Sequence, residues 1–178
     1  MIDDKIGKFD ALFSSVKSDW ETPDFLFRAL DDEFGFTVDV CATWENKKMS
    51  YFFSPQQDAF RRDWKGVAYM NPPYSRGIDR WLAKAIKSVV DNQATVVCLV
   101  PSRTDTNWWF DYARLAEVRF LKGRLQFEGG NSSAPFPSAL LIYRPGLPQS
   151  TGYWQYEPLS EPPYYRVRNW TGEPDVVG

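Results

Sequence analysis

The chain has 178 residues, of which 43% are hydrophobic and 17% aromatic, and a formal net charge of −2. This length favours one globular domain with a sizeable core, and no apolar run approaches the ~20 residues of a membrane-spanning helix. The sequence contains no histidine, which excludes Ser-His-Asp and Cys-His hydrolases. With only two cysteines, Cys41 and Cys98, a structural zinc site is also disfavoured. The composition therefore favours a reaction that needs little acid–base chemistry from side chains.

Charge and cysteine usage predict the compartment and bear on the partner. Residues 1–5 lack the basic and apolar regions of a signal peptide, and both cysteines lie in apolar stretches typical of buried thiols in a reducing compartment. We therefore expect a cytoplasmic protein. The net charge argues weakly against a nucleic-acid partner. However, the middle of the chain, from Arg61 to Arg124, is rich in Lys and Arg, so a local basic face is compatible with the acidic total.

The first third of the chain predicts an arm, a helix and a strand. Residues 1–17 have no clear pattern and are predicted to form a flexible N-terminal arm. Apolar residues at helical spacing predict a helix over 23–34. Thr22 is expected to be its N-cap, and Gly35 is expected to end it. Residues 36–40 alternate as a strand.

The rest of the chain alternates further strands with helices. The predicted strands are 67–70, 95–100, 117–120, 124–127 and 139–143, and the predicted helices are 78–90 and 108–115. The continuous apolar strand 95–100 is typical of a parallel sheet buried on both faces. Residues 146–178, rich in Pro, Gly and aromatic residues, are predicted to be a tail packed on the body. This order predicts a compact α/β fold with a central, mostly parallel sheet flanked by helices.

The tetrapeptide Asn71-Pro72-Pro73-Tyr74 lies between the predicted strand 67–70 and the predicted helix 78–90. Open α/β sheets bind ligands at the carboxyl ends of their strands. Two prolines fix φ and remove two N–H donors, and they keep Asn71 out of the helical region. The Asn71 amide and the proline carbonyls then become fixed acceptors beside an aromatic ring, which suits a planar ring bearing an exocyclic amino group. An ordinary proline-rich turn is the alternative.

Five further segments accompany this tetrapeptide. They are residues 20–23 (WETP), 38–42 (VDVCA), 58–60 (DAF), 99–106 (LVPSRTDT) and 122–127 (KGRLQF). In this order, and over about residues 18–145, the chain resembles the phage-type DNA N6-adenine methyltransferase family (Dam-like). The resemblance implies a Rossmann-like, S-adenosylmethionine-dependent methyltransferase fold, with residues 18–145 as the methyltransferase domain.

The resemblance also implies a reaction and the residues that perform it. A methyl group would pass from S-adenosylmethionine to the N6 amino group of an adenine flipped out of double-stranded DNA. The implied catalytic residues are Asn71, Pro72, Pro73 and Tyr74. Asn71 Oδ1 and the Pro72 carbonyl would accept the amino hydrogens, and Tyr74 would stack on the adenine.

Binding residues follow from the same resemblance. The cofactor-binding set is Trp20, Thr22, Pro23, Asp39, Cys41, Ala42, Asp58 and Asn71. The DNA-binding set is Ser75, Arg76, Arg103, Thr104, Lys122 and Arg124. Glu45 or Asn46 is a further candidate for the cofactor ribose, and no metal is implied. Many such enzymes have a glycine-rich turn after the strand that carries the acidic residue, whereas this chain has Cys41-Ala42-Thr43.

Two other classes of function remain open. The same motif suits an amino methyltransferase that acts on RNA or on protein glutamine, and a catalytically inactive nucleic-acid-binding relative would retain the pocket. The resemblance favours DNA in a bacterial host, encoded by a phage or prophage, either in restriction-modification or in protection of phage DNA.

Overall fold

The computed structural model describes residues 20–74, 77–128 and 132–146, together with the backbone of two later strands. Its strands are β1 (Val38–Asp39), β2 (Val67–Met70), β3 (Thr95–Pro101), β4 (Glu117–Leu121), β5 (Ser138–Tyr143), β6 (Thr151–Pro158) and β7 (Tyr165–Trp170). Its helices are α1 (Asp24–Phe34), α2 (Ile78–Asn92), the 3-10 turns Pro55–Gln57 and Ala59–Arg61, and a π-helical turn, Trp109–Ala113. None of the described helices is long and apolar enough to cross a membrane.

The described strands form one sheet in the order β1-β2-β3-β5-β4-β6-β7. Strands β1, β2 and β3 are parallel neighbours, whereas β5 is antiparallel to both β3 and β4. The predicted α/β sheet is therefore confirmed, but it is mixed: β4 and β6 are also parallel, and the antiparallel strand β5 separates this pair from β1, β2 and β3. The reason lies in the β4–β5 connection, which contains no helix among its described residues. Antiparallel neighbours need no crossover helix.

The two helices cover opposite faces of the sheet. Side chains alternate along a strand, so Val96 and Cys98 of β3 share one apolar core with Leu82 of α2. Val97 shares the other core with Leu30 of α1. All five side chains are fully buried. Strand β3 is thus covered on both faces, which explains its continuous run of apolar residues.

Helix α1 ends as predicted but begins differently. Gly35, with φ of 65°, ends it and donates its N–H to the Asp31 carbonyl at 2.7 Å. The prediction that Thr22 caps the helix is wrong, because Pro23 is the N-cap residue and no side chain of the cap bonds the helix. The N–H of Asp24 instead donates to Oε1 of Glu128 at 2.7 Å. A carboxylate from a distant loop therefore satisfies the first turn.

Three other predicted elements differ from the structure. Strand 36–40 is reduced to Val38–Asp39, and the helix predicted at 108–115 is centred on a π-helical turn. The strand predicted at 124–127 is wrong, since that segment is irregular. Its alternate residues Leu125 and Phe127 are buried. Burial of every second residue resembles the pattern of a strand, although this segment pairs with no described strand through backbone hydrogen bonds. The arm 1–17 lies outside the described residues. The division into arm, domain and tail stays a prediction, although β6 and β7 fall within the segment 146–178.

Candidate active site

A cavity of about 390 Å³ lies at the carboxyl ends of the parallel strands β1, β2 and β3. Its wall includes Asp39 at the end of β1, Asn71 directly after β2 and Arg103 after β3. Because β1, β2 and β3 are parallel, these residues converge although they are far apart in the sequence. The predicted site residues in the wall are Trp20, Thr22, Asp39, Cys41, Ala42, Asn71, Pro72, Pro73, Tyr74 and Arg103.

The other predicted residues that the structure describes lie outside the wall, with one exception. Pro23, Asp58, Thr104, Lys122 and Arg124 are not part of the wall, and of the two ribose candidates only Asn46 is. Ser75 and Arg76 lie outside the described residues. The sequence therefore predicted just under half of the cavity wall, while the roles of its residues stay predictions.

The amide of Asn71 is held in one orientation. Its Nδ2 donates to the Trp20 carbonyl at 2.8 Å and to Thr22 Oγ1 at 3.0 Å. Its Oδ1 is buried and has no hydrogen-bond partner among the described residues. A buried carbonyl without a partner costs about 1–3 kcal/mol. An acceptor kept in this state at a cavity wall indicates a place for a donor from a ligand.

Tyr74 lies in a cluster of aromatic rings. Its ring is 9% exposed and lies near Trp20, Phe127 and Phe136, at centroid distances of 6.5, 6.0 and 5.6 Å. Its hydroxyl donates to the Leu99 carbonyl at 3.4 Å, and burial raises the pKa of the phenol well above its usual value. The hydroxyl is thus neutral and turned towards the sheet, so the ring is the part that meets the cavity. Phe136, which sequence reasoning missed, borders the same space.

Asp39 places a carboxylate in the cavity wall, although the residue is only 3% exposed. Its Oδ1 accepts the Cys41 N–H, and its Oδ2 accepts the Lys48 N–H, both at 3.2 Å. Burial raises the pKa of Asp39 to about 6, although these bonds and the charge of Lys48 oppose the shift. At neutral pH the group is therefore mainly ionised, with an anion held where a cationic ligand could reach it.

Asp58 uses its carboxylate within its own loop. It adopts the left-handed φ of 49°, accepts the Phe60 N–H at 3.1 Å and pairs with Arg61 at 3.2 Å. Its neighbours Ala59 and Phe60 line the cavity, whereas Asp58 does not. Asp58 thus shapes the turn that brings these two residues to the wall.

Lys48 is a wall residue that the sequence did not reveal. Its ammonium contacts Glu21 at 3.2 Å, Asp24 at 2.9 Å and Glu128 at 2.8 Å, and its side chain is 8% exposed. Burial lowers the pKa of Lys48, but the hydrogen bonds to the three carboxylates outweigh that effect and raise it overall. The partners lie 24 to 80 residues away in the chain, so no local pattern could have identified the cluster. It joins Glu21, before α1, and Glu128 to the loop that follows β1.

Arg103 is the predicted DNA-binding residue that reaches the cavity. It is exposed and lies in the wall with Asn71, which confirms that both residues share one rim. Its guanidinium makes no ion pair with any described residue. Thr104, Lys122 and Arg124 are exposed outside the wall. With its charge unpaired within the described part of the chain, Arg103 is available to a phosphate at the cavity wall.

Comparison with known proteins agrees with this geometry. Residues 11–146 match the family model described as DNA N-6-adenine-methyltransferase (Dam). The chain is 30% identical over 157 residues to a DNA N-6-adenine-methyltransferase of Haemophilus phage HP1 (strain HP1c1), covering 83% of this chain and 90% of that protein. It is 31% identical over 115 residues to the enzyme of the same description from Escherichia phage T1, covering 62% of this chain and 48% of the T1 protein. The family model matches most of the chain, including every residue that lines the cavity. The protein therefore belongs to the DNA N-6-adenine-methyltransferase (Dam) family.

Proposed function

We propose that this chain transfers a methyl group from S-adenosylmethionine to the N6 amino group of an adenine in double-stranded DNA. The observation that carries the proposal is the amide of Asn71, whose oxygen is buried and unpartnered while its nitrogen is held by two hydrogen bonds. Membership of the Dam family supports adenine as the base and DNA as the substrate. The parallel strand ends around the cavity support a Rossmann-like arrangement of the site.

The amide oxygen supplies what the reaction needs. The lone pair of an aromatic amino nitrogen is delocalised into the ring, so the nitrogen is a poor nucleophile. An acceptor at Asn71 Oδ1 would hold one amino hydrogen and orient the nitrogen towards the incoming methyl group. Because the amide is held in advance, little reorganisation is needed during the reaction. As the nitrogen bonds to the methyl carbon, the bond from carbon to sulfur would break and leave a neutral thioether. The methylated nitrogen would then lose one proton to water, a step that needs no histidine.

The cavity also fits the cofactor. Bound S-adenosylmethionine would supply an electrophilic methyl group on its sulfonium. The Asp39 carboxylate suits the cationic methionine end, since it is buried and ionised at neutral pH. The apolar wall residues Ala42 and Phe60 suit an adenine ring. A volume of about 390 Å³ lies within the range of small-ligand sites.

Tyr74 is the residue proposed to receive the target base. A base cannot be methylated at this depth while it is stacked in a duplex, so it must be flipped out. Stacking of one base on an aromatic ring contributes about 1–3 kcal/mol. The Tyr74 hydroxyl is engaged with the sheet, which leaves the ring for this contact. Arg103 on the same rim would bind a phosphate of the DNA.

Asn71→Ala is the sharpest test of this proposal. Single-turnover methylation at saturating cofactor should fall by ~10²–10³, as for other preorganised hydrogen-bonding groups, while the calorimetric affinity for S-adenosylmethionine should change little. Asn92→Ala is the matched control. Asn92 ends α2 just before β3 begins, so it lies at the amino ends of the parallel strands, away from the cavity. Tyr74→Phe should retain activity and Tyr74→Ala should lose it, since the ring supplies the contact.

The same assay separates the alternatives. DNA, RNA and a glutamine-containing protein substrate are each offered to the wild-type enzyme with labelled cofactor. Methylation of DNA adenine alone supports the proposal, and transfer to RNA or glutamine instead would overturn it. Absence of cofactor binding would favour an inactive nucleic-acid-binding relative. A wild-type rate in Asn71→Ala, with unaltered cofactor affinity, would reduce the motif to a turn.

A further inference from the structure

We propose that Thr22 and Tyr69 are positioning residues for Asn71, and that the Thr22 hydroxyl holds the amide in the orientation that the Trp20 carbonyl selects. The inference rests on the proposed function of Asn71 and adds two residues that act through it. Neither needs to touch the target base. The observations are the hydrogen bonds around Asn71 and the unusual start of helix α1.

The three side chains form one chain of hydrogen bonds, in which Thr22 and Tyr69 are buried and Asn71 is half-buried. Tyr69, in β2, and Thr22, before α1, share a bond of 2.6 Å between their hydroxyl oxygens. Thr22 Oγ1 also accepts from Asn71 Nδ2 at 3.0 Å. Thr22 and Tyr69 are 2% and 1% exposed. Such bonds, shielded from water, hold a side chain more firmly than exposed ones.

The donors and acceptors in this chain allow one amide orientation. The Trp20 carbonyl can only accept, so the group that faces it at 2.8 Å must be the amide nitrogen. A hydroxyl has one donor and two acceptor sites, so Thr22 can accept from Asn71 while it exchanges one hydrogen bond with Tyr69. A flipped amide would set its oxygen against the Trp20 carbonyl oxygen. It would also turn Nδ2 towards the space reserved for the amino donor.

The phenol of Tyr69 completes the arrangement. Burial raises the pKa of Tyr69 far above its usual value, so the group keeps its proton throughout the working range. It can therefore donate to Thr22 or accept from it without introducing a charge beside Asn71. A neutral partner of this kind holds the Thr22 oxygen in place at any pH at which the protein is folded.

The start of α1 supports the same conclusion independently. A threonine before Pro23 is expected to cap the helix, yet no side chain of the cap bonds the helix. The carboxylate of Glu128 accepts the Asp24 N–H in its place. The helix is thus capped by another residue, and the Thr22 hydroxyl is directed to Asn71. If Thr22 served only to start the helix, its hydroxyl rather than Glu128 would be expected to accept a helix N–H.

A direct cofactor contact is the competing role for Thr22, because it also lies in the cavity wall. The two roles have different signatures. A cofactor contact would raise the dissociation constant of S-adenosylmethionine and leave the rate at saturation unchanged. A positioning residue would lower the rate at saturation and leave the dissociation constant nearly unchanged. Its effect would also vanish once Asn71 is gone.

The test is a double-mutant cycle on Thr22 and Asn71. Thr22→Val keeps the shape and removes the hydroxyl, and it should lower the single-turnover rate by about tenfold, the order expected for one net hydrogen bond. Thr22→Ser restores the hydroxyl and should recover most of the rate. In the Asn71→Ala background, Thr22→Val should cost nothing further, because the residue through which it acts is absent. Tyr69→Phe should lower the rate less than Thr22→Val.

Each outcome of the cycle separates this inference from the proposed function. If the wild-type enzyme does not methylate DNA adenine, the proposed function fails. If it does and Asn71→Ala is fully active, only the role of Asn71 and the positioning role fail. If Asn71→Ala is impaired and Thr22→Val multiplies that loss, the positioning role fails while the proposed function stands. An effect of Thr22→Val on cofactor affinity alone would assign it to the cofactor. Urea unfolding accompanies each variant, and Thr22→Ser and Tyr69→Phe keep the test decisive if Thr22→Val does not fold.

Discussion

Replacing Lys48 by Met should destabilise the fold more than the loss of an ordinary surface ion pair. Methionine keeps an unbranched side chain but removes the ammonium that contacts Glu21, Asp24 and Glu128. Three carboxylates would then face one another without this cation. Glu128 would still accept the Asp24 N–H, so the start of α1 would carry part of the strain.

The burial of the partners sets the size of the effect. Breaking a fully buried ion pair costs about 3–5 kcal/mol, whereas exposed pairs are worth about 0.2–1 kcal/mol. The Lys48 side chain is 8% exposed, but Glu21, Glu128 and Asp24 are 22%, 36% and 60% exposed. Solvent therefore screens much of the interaction. We expect a loss of about 2–3 kcal/mol, between these two limits.

The pH dependence provides a second check. The hydrogen bond from Lys48 is the largest cause that lowers the pKa of Asp24 from its usual 3.8. A lowered folded-state pKa stabilises the protein above the unfolded pKa, and that stabilisation is lost as the pH falls through the folded value. The difference between wild type and Lys48→Met should accordingly be largest at neutral pH and shrink below about pH 4.

Urea unfolding at constant ionic strength measures the difference. The control is Lys87→Met, the same substitution in the exposed pair of Lys87 with Asp91 on α2, where about 0.3–0.5 kcal/mol is expected. A Lys48→Met variant that loses no more stability than Lys87→Met would refute the argument. An equal loss at pH 3 and pH 7 would refute the electrostatic origin of the effect.

Two further predictions concern ligands. Because burial raises the pKa of Asp39 to about 6, S-adenosylmethionine affinity measured by calorimetry should fall below that pH, by at most about tenfold per unit, and Asp39→Asn should abolish the dependence. The same shift should lower the stability of the free protein as the pH rises from about 4 to about 6, since the folded state binds the proton more tightly. Arg103→Gln should reduce the salt slope of DNA binding by about one unit. Arg114→Gln, near the amino end of β4 at the opposite edge, should leave it unchanged.

The results that would contradict these two predictions are specific. An affinity that is flat from pH 5 to pH 8 in the wild type would remove Asp39 from the cofactor site. An Arg103→Gln slope equal to that of wild type would show that its guanidinium does not neutralise a phosphate.

Local patterns in the sequence determined the elements that carry the site. Strand β2 has the predicted bounds of 67–70, and α2 begins at the predicted residue 78. Apolar spacing and turn residues depend on only a few neighbouring positions. The bounds of β2 and the start of α2 could therefore be predicted without knowledge of the fold. The two prolines after Asn71 restrict the backbone in the same local way. The place of the motif at a strand end therefore followed from the sequence alone.

Only the tertiary structure decided which partner each polar group takes. Thr22 has the local pattern of a helix cap, but its hydroxyl bonds to Tyr69 and Asn71, which lie 47 and 49 residues away. The sequence around Lys48 has no pattern that indicates its role, which depends on ion pairs with three carboxylates far away in the chain. Antiparallel pairing of β5 likewise depends on which strands become neighbours. A polar group bonds to the partner that burial brings within reach, and that partner is set by the packing of the whole chain.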